Sequence, residues 1–147
     1  MSTTIKCIRG KIEDNLSEGI AIFVSELAKY QDALWAVGFK GAPTPNIDIR
    51  RTSFSGVERY LACIDNEHER SIKTVNDMRK QLFATLDAFR EWGIKTVSLN
   101  GIKVREFTDE NSRPEEYQRQ YVEEYIAQYP DAFDTVCLVD KYGGFKE

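Results

Sequence analysis

Between Ser71 and Leu99 the chain runs an amphipathic helix, a closing glycine and a short apolar strand with no spacer between them. Ile72, Val75, Met78, Leu82, Phe83, Leu86 and Phe89 recur at three- and four-residue intervals. That spacing predicts one wide apolar face from Ser71, as the N-cap, to Glu91. Gly93 stands where a helix commonly ends in a left-handed residue, and Ile94–Leu99 reads as the following strand. The same grammar returns from Ser112 to Asp140. Ser112 and Glu115 have capping-box spacing, Pro114 lies in the first turn, and Tyr117, Tyr121, Val122, Tyr125, Ile126 and Tyr129 form a second stripe that Pro130 stops. Thr135–Val139 is then the last strand. A helix with one apolar stripe must bury it, so two helix-to-strand units in succession predict crossovers laid over one shared sheet.

The first half adds strands to that sheet. Thr4–Arg9 alternates and ends at Gly10, while Gly19–Val24 is a continuous apolar run of the kind covered on both faces. A helix begun near Ser17 also fits that run; the strand is the preferred reading. Ser25 occupies an N-cap position before a stripe of Leu27, Tyr30, Leu34 and Trp35 that reaches Val37. Gly38 to Pro45, with two glycines and two prolines, is irregular. Ile47–Thr52 and Arg59–Ile64, joined by Ser53-Phe54-Ser55-Gly56, carry a hairpin signature. The fold class expected is α/β, three layers (α/β/α) around a mixed sheet. The 147 residues make one domain, with residues 141–147 as a loose tail.

Composition excludes several function classes. Net charge is −4 and the basic residues are scattered among acids. A duplex-binding surface needs a basic stripe, because counterion release supplies most of its affinity, so no nucleic acid is expected as a partner. No apolar run approaches the roughly 20 residues that span a bilayer, so no membrane is expected either. The start Met1-Ser2-Thr3-Thr4-Ile5-Lys6 does not read as a signal peptide. Three widely spaced cysteines, Cys7, Cys63 and Cys137, each among apolar neighbours, read as reduced thiols inside strands. A cytoplasmic protein is the expectation. The single histidine, His68, falls between Glu67 and Glu69 in a segment that reads as a solvated turn, so no metal site is expected.

In this order of elements the chain resembles the macro domain family over most of its length. Ile5-Lys6-Cys7-Ile8-Arg9-Gly10-Lys11-Ile12-Glu13 looks like that family's opening strand and turn. Gly19 to Ser25 lies where the family has its buried second strand, and the hairpin Ile47–Ile64 is similar to the pair before its central helix. Ser71–Leu99 resembles the helix and strand that lead into its phosphate loop, and Tyr117–Asp140 its closing helix and strand. The resemblance implies a three-layer α/β/α fold with a cleft for ADP-ribose or a related nucleotide. The contact motifs are degenerate. Lys11 stands where typical members have an adenine-reading aspartate, Ser25-Glu26-Leu27 replaces an asparagine-rich segment, and Asn100-Gly101-Ile102-Lys103 replaces a glycine-rich pyrophosphate loop.

In open α/β sheets ligands bind at the carboxyl ends of the strands. Ser25 and Glu26, Asn100, Gly101 and Lys103, and Asp140 follow or end the strands read above, and they are the candidate ligand-binding residues. Gly101 lets backbone approach an anion, Lys103 carries a neutralising charge, and Ser25 opens a helix with its N–H groups. There is no P-loop, no Gly-x-Ser-x-Gly elbow and no dinucleotide fingerprint. No catalytic residue and no cofactor are therefore assigned. Two readings follow. In the first, the chain binds, or hydrolyses, a nucleotide-derived or phosphorylated small molecule. In the second, a degenerate macro-like fold serves as a protein–protein interaction module with no small-molecule ligand, using Phe39 to Pro45 and Phe54 as contacts.

Overall fold

The computed structural model describes residues 3–15, 17–24, 47–54, 57–65, 72, 74–102, 114–141, 143 and 145. Six strands, β1 (Thr4–Arg9), β2 (Gly19–Val24), β3 (Ile47–Phe54), β4 (Val57–Asp65), β5 (Thr96–Asn100) and β6 (Thr135–Asp140), form one sheet in the order β1-β6-β5-β2-β4-β3. Every neighbouring pair is parallel except the hairpin β3–β4, so the sheet is mixed. The pairing on which the crossover argument depends is present. β5 and β6 run parallel from Thr96↔Thr135 to Asn100↔Val139.

β2 sits near the centre of the sheet, and all six of its residues are buried. Ala21 and Phe23 enter one core cluster while Ile20, Ile22 and Val24 enter another on the opposite face. A strand covered on both sides has no solvent face to mark with polar residues, which is why its sequence shows no alternation. The hairpin is longer than its sequence pattern suggested. Its pairing continues to Phe54↔Val57, so Ser53 and Phe54, read as part of the link, belong to β3. β5 likewise takes in Asn100, which the sequence reading placed beyond the strand.

Two helices, α1 (Val75–Glu91) and α2 (Pro114–Gln128), pack on the face that carries Ala21 and Phe23. The connections β4-α1-β5 and β5-α2-β6 both move across the sheet in the same direction, and right-handed crossovers then put both helices on one side. Met78, Leu82, Leu86 and Phe89 of α1 and Val122 and Tyr125 of α2 are fully buried there. Each such side chain contributes roughly 1.5–3 kcal/mol of apolar burial.

The start of α1 corrects the sequence expectation. Its N-cap is Thr74, not Ser71: the Thr74 hydroxyl accepts the Asp77 N–H at 3.1 Å and the Asp77 carboxylate accepts the Thr74 N–H at 3.1 Å. Two orphan donors are satisfied reciprocally, which a lone serine does not achieve. At the other end Gly93 takes φ +74°, the left-handed closure expected of it.

The helices are also joined by polar contacts. Arg79 Nη2 lies 2.6 Å from Glu124 Oε1. The wholly buried Tyr125 donates its hydroxyl to Asp87 at 2.7 Å and accepts from Arg90 Nε at 2.9 Å. Burial raises the Tyr125 phenol above the usual tyrosine range.

On the opposite face Ile12 joins Ile20, Ile22, Val24, Leu61, Cys63 and Val139. Ile12 comes from a 3-10 turn, Ile12–Asp14, at the place where the resemblance implied a turn. Ser98 ties this connection to β5 by donating to the Asn15 carbonyl at 2.7 Å and pairing with the Ser17 hydroxyl at 2.7 Å. The helix expected from Ser25 to Val37 and the segment Gly38 to Pro45 lie outside the described residues. Cys7, Cys63 and Cys137 lie in β1, β4 and β6, and no disulfide joins them. Within residues 141–147, read as a loose tail, Phe145 is 7% exposed and belongs to the larger core cluster.

Candidate functional site

Because β1, β6, β5, β2 and β4 are parallel, their carboxyl ends share one edge of the sheet. Arg9, Asp140, Asn100, Val24 and Asp65 end the strands there. From β2 the chain proceeds to β3 and β4 on one side, whereas from β5 it proceeds to β6 on the other. The topological switch point, where open α/β sheets hold their ligands, therefore lies between β2 and β5.

At that point the sheet splits. The β2–β5 ladder runs from Gly19↔Val97 to Ala21↔Leu99 and stops, while β2 continues along β4 to Val24↔Asp65. Asn100 crosses the gap. Its Oδ1 accepts the Phe23 N–H at 2.7 Å and its Nδ2 donates to the Phe23 carbonyl at 3.1 Å. A side-chain carboxamide carries the same donor and acceptor as a peptide, so it replaces the ladder partner that Phe23 would otherwise lack. Asn100 is 7% exposed, and both polar atoms of its side chain are engaged in this way.

A second carboxamide repeats the device one step on. Gln118 Nε2 donates to the Asn100 carbonyl at 2.8 Å, and the Ile102 N–H donates to Gln118 Oε1 at 2.8 Å. One side chain thus holds the groups on either side of Gly101, itself buried. In a strand, the carbonyl of one residue and the N–H two residues later point the same way, and the N–H and carbonyl of one residue of a parallel neighbour bond them. Gln118 supplies that donor and acceptor from α2. It is fully buried, and sequence reasoning missed it because a glutamine counts as polar. Its spacing was the available signal: Gln118, Val122 and Tyr125 stand at i, i+4 and i+7 and are the buried residues of the helix.

Asp140 closes the β6 end of the edge. It is 5% exposed, and its carbonyl accepts both the Gly10 N–H at 3.0 Å and the Gly143 N–H at 3.2 Å. Gly143 has φ +71°, and a Cβ there would stand 3.3 Å from the Arg9 side chain. The structure thus brings Asn100, Gly101 and Asp140 to one edge. Ser25, Glu26 and Lys103 lie outside the described residues, as do Glu67, His68 and Glu69. Among the described residues no three His, Cys, Asp or Glu side chains form a group that could hold a metal ion. No helix among them is long and apolar enough to cross a membrane.

No protein-family model and no curated protein matches the sequence. Solved structures do. The Trypanosoma brucei macrodomain in complex with ADP-ribose matches with a TM-score of 0.63 at 13% identity, over 93% of this chain and 63% of that one. The fold is that of the macrodomains. The same protein in complex with ADP matches with a TM-score of 0.66 at 11% identity, over 92% of this chain and 63% of that one. The macrodomain of Mycobacterium tuberculosis DarG matches with a TM-score of 0.62 at 15% identity, over 92% of this chain and 97% of that one. The chain spans 61–63% of the length of the trypanosomal structures. At such identities the likeness concerns the backbone.

Proposed function

We propose that this macrodomain-fold chain binds a nucleotide-derived or phosphorylated small molecule, a relative of ADP-ribose, at the carboxyl edge between β2 and β5. One observation carries the reading: the switch point of the sheet lies at Asn100 and Gly101, in a fold whose trypanosomal neighbour is a complex with ADP-ribose. Asn100 then forms the floor of the crevice, since its carboxamide is engaged by Phe23. Recognition runs through backbone near Gly101, with Ser25, Glu26, Lys103 and Asp140 as the proposed side-chain contacts. Hydrolysis of the ligand belongs to the reading only as a second step, and no residue is assigned to it. The proposed location is the cytoplasm, where thiols such as Cys7, Cys63 and Cys137 stay reduced.

Differential scanning fluorimetry with ADP-ribose, ADP, NAD and sugar phosphates tests this. A ligand of the native state at about one hundred times its Kd stabilises by roughly 2.7 kcal/mol. That raises the melting temperature of a domain this size by about 5–10 °C. At least one member of the panel is expected to do so, with a smaller rise for Lys103→Ala. A flat response across the panel overturns the reading and favours the protein–protein interaction module.

A further inference from the structure

We infer that Gln118 is a positioning residue of this site, fixing from α2 the Asn100–Gly101–Ile102 segment, where the chain turns from β5 toward the ligand it holds; the inference depends on the reading above. The carboxamide is fully buried and bonds Asn100 and Ile102 at 2.8 Å each. A position facing the core between helix and sheet ordinarily takes an apolar side chain, as Val122 does one turn later. Burying a carboxamide is costly unless every group is paired. Here the pairing is with main-chain groups at the place where β5 leaves the sheet and the ladder ends. An apolar residue would leave the Asn100 carbonyl and the Ile102 N–H without that partner, and the turn would be free to choose another conformation. Gly101 has no side chain of its own to hold it. The conformation of the turn is thus set by a helix residue 17 positions from Gly101 in sequence, through two bonds that bracket it.

Isothermal titration with ADP-ribose on the wild type, Gln118→Met, Gln118→Glu and Val122→Ala tests this, with melting temperatures measured alongside. Val122→Ala loosens the same helix without touching the turn. Gln118→Met is expected to bind about tenfold more weakly, the loss from one misplaced hydrogen-bonding group. Val122→Ala is expected to stay within about threefold of the wild type despite its own loss of stability, because it leaves in place both Gln118 bonds that hold residues 100 and 102. Gln118→Glu keeps the acceptor for Ile102 and is expected to fall between, which preserves the test if the methionine variant does not fold. In the wild type, ADP-ribose should also shift the Gly101 and Ile102 amide resonances. Equal affinities for the Gln118 variants and Val122→Ala overturn the positioning role and leave the proposed function standing, whereas silent amides at 101 and 102 overturn both the positioning role and the proposed place of binding. A wild type that binds no member of the panel overturns both.

Discussion

Replacing Asn100 by leucine isolates the sheet split. The substitution keeps the approximate size of the side chain and the backbone bond from Gln118 to the Asn100 carbonyl, but removes both partners of Phe23. Phe23 is 2% exposed, so water does not readily take their place. Each buried peptide group left unpaired costs about 1–3 kcal/mol. Two such groups, offset by about 1 kcal/mol of added apolar burial, give a net loss of roughly 1–5 kcal/mol. For a domain of this size that is a fall of about 3–15 °C in melting temperature.

Urea unfolding followed by tryptophan fluorescence and circular dichroism measures it directly. Asn100→Asp supplies the complementary test. The carboxyl keeps the acceptor for the Phe23 N–H but loses the donor, and when ionised it faces the Phe23 carbonyl. Its pKa in the fold is therefore raised above the ordinary value of about 3.9. A raised value means that its stabilising contribution is complete below the unfolded pKa and is lost as pH rises through the folded one. The deficit of Asn100→Asp should consequently shrink in acid relative to the wild type. A loss below about 0.5 kcal/mol for Asn100→Leu, the range of an ordinary surface change, refutes the reasoning. So does an Asn100→Asp deficit that stays flat between about pH 4 and about pH 8.

Tyr125→Phe removes the hydroxyl that bridges Asp87 and Arg90, and should cost about 1–2 kcal/mol in the same assay. Burial holds the Tyr125 phenol above its ordinary range, so its stabilisation is complete below about pH 10 and fades above it. The wild type should therefore show a late-titrating tyrosine by ultraviolet absorbance that the variant lacks, and superposable alkaline unfolding curves would sink the argument. Thr74→Ala, which breaks the capping box with Asp77, should lower stability by about 1 kcal/mol in urea unfolding; no shift in the midpoint would mean the reciprocal bonds contribute nothing.

Much of the architecture was legible from local pattern. The bounds of β1 and β2, the apolar stripe of α1 and the glycine that closes it follow from periodicity and turn chemistry, and both are properties of neighbouring residues. Thr74-Val75-Asn76-Asp77 carries its own capping box in plain sequence, while Ser71 stands next to the first apolar residue, Ile72. Phe145 stands in polar and glycine-rich company, so nothing in its neighbours marks it for the core.

By itself, then, the sequence determined the six strands and the two late helices among the described residues, that the two late crossovers share a sheet, and that the chain resembles a macro domain in layout. Only the tertiary structure decided that β1 lies beside β6, pairing Thr4 with Thr135, and that β5 parts from β2 after Leu99. It alone decided the roles of Asn100 and Gln118. A carboxamide is as well satisfied by water as by a peptide, so nothing local says whether it will face a ligand, the solvent or an unfinished ladder. That depends on where a distant strand stops.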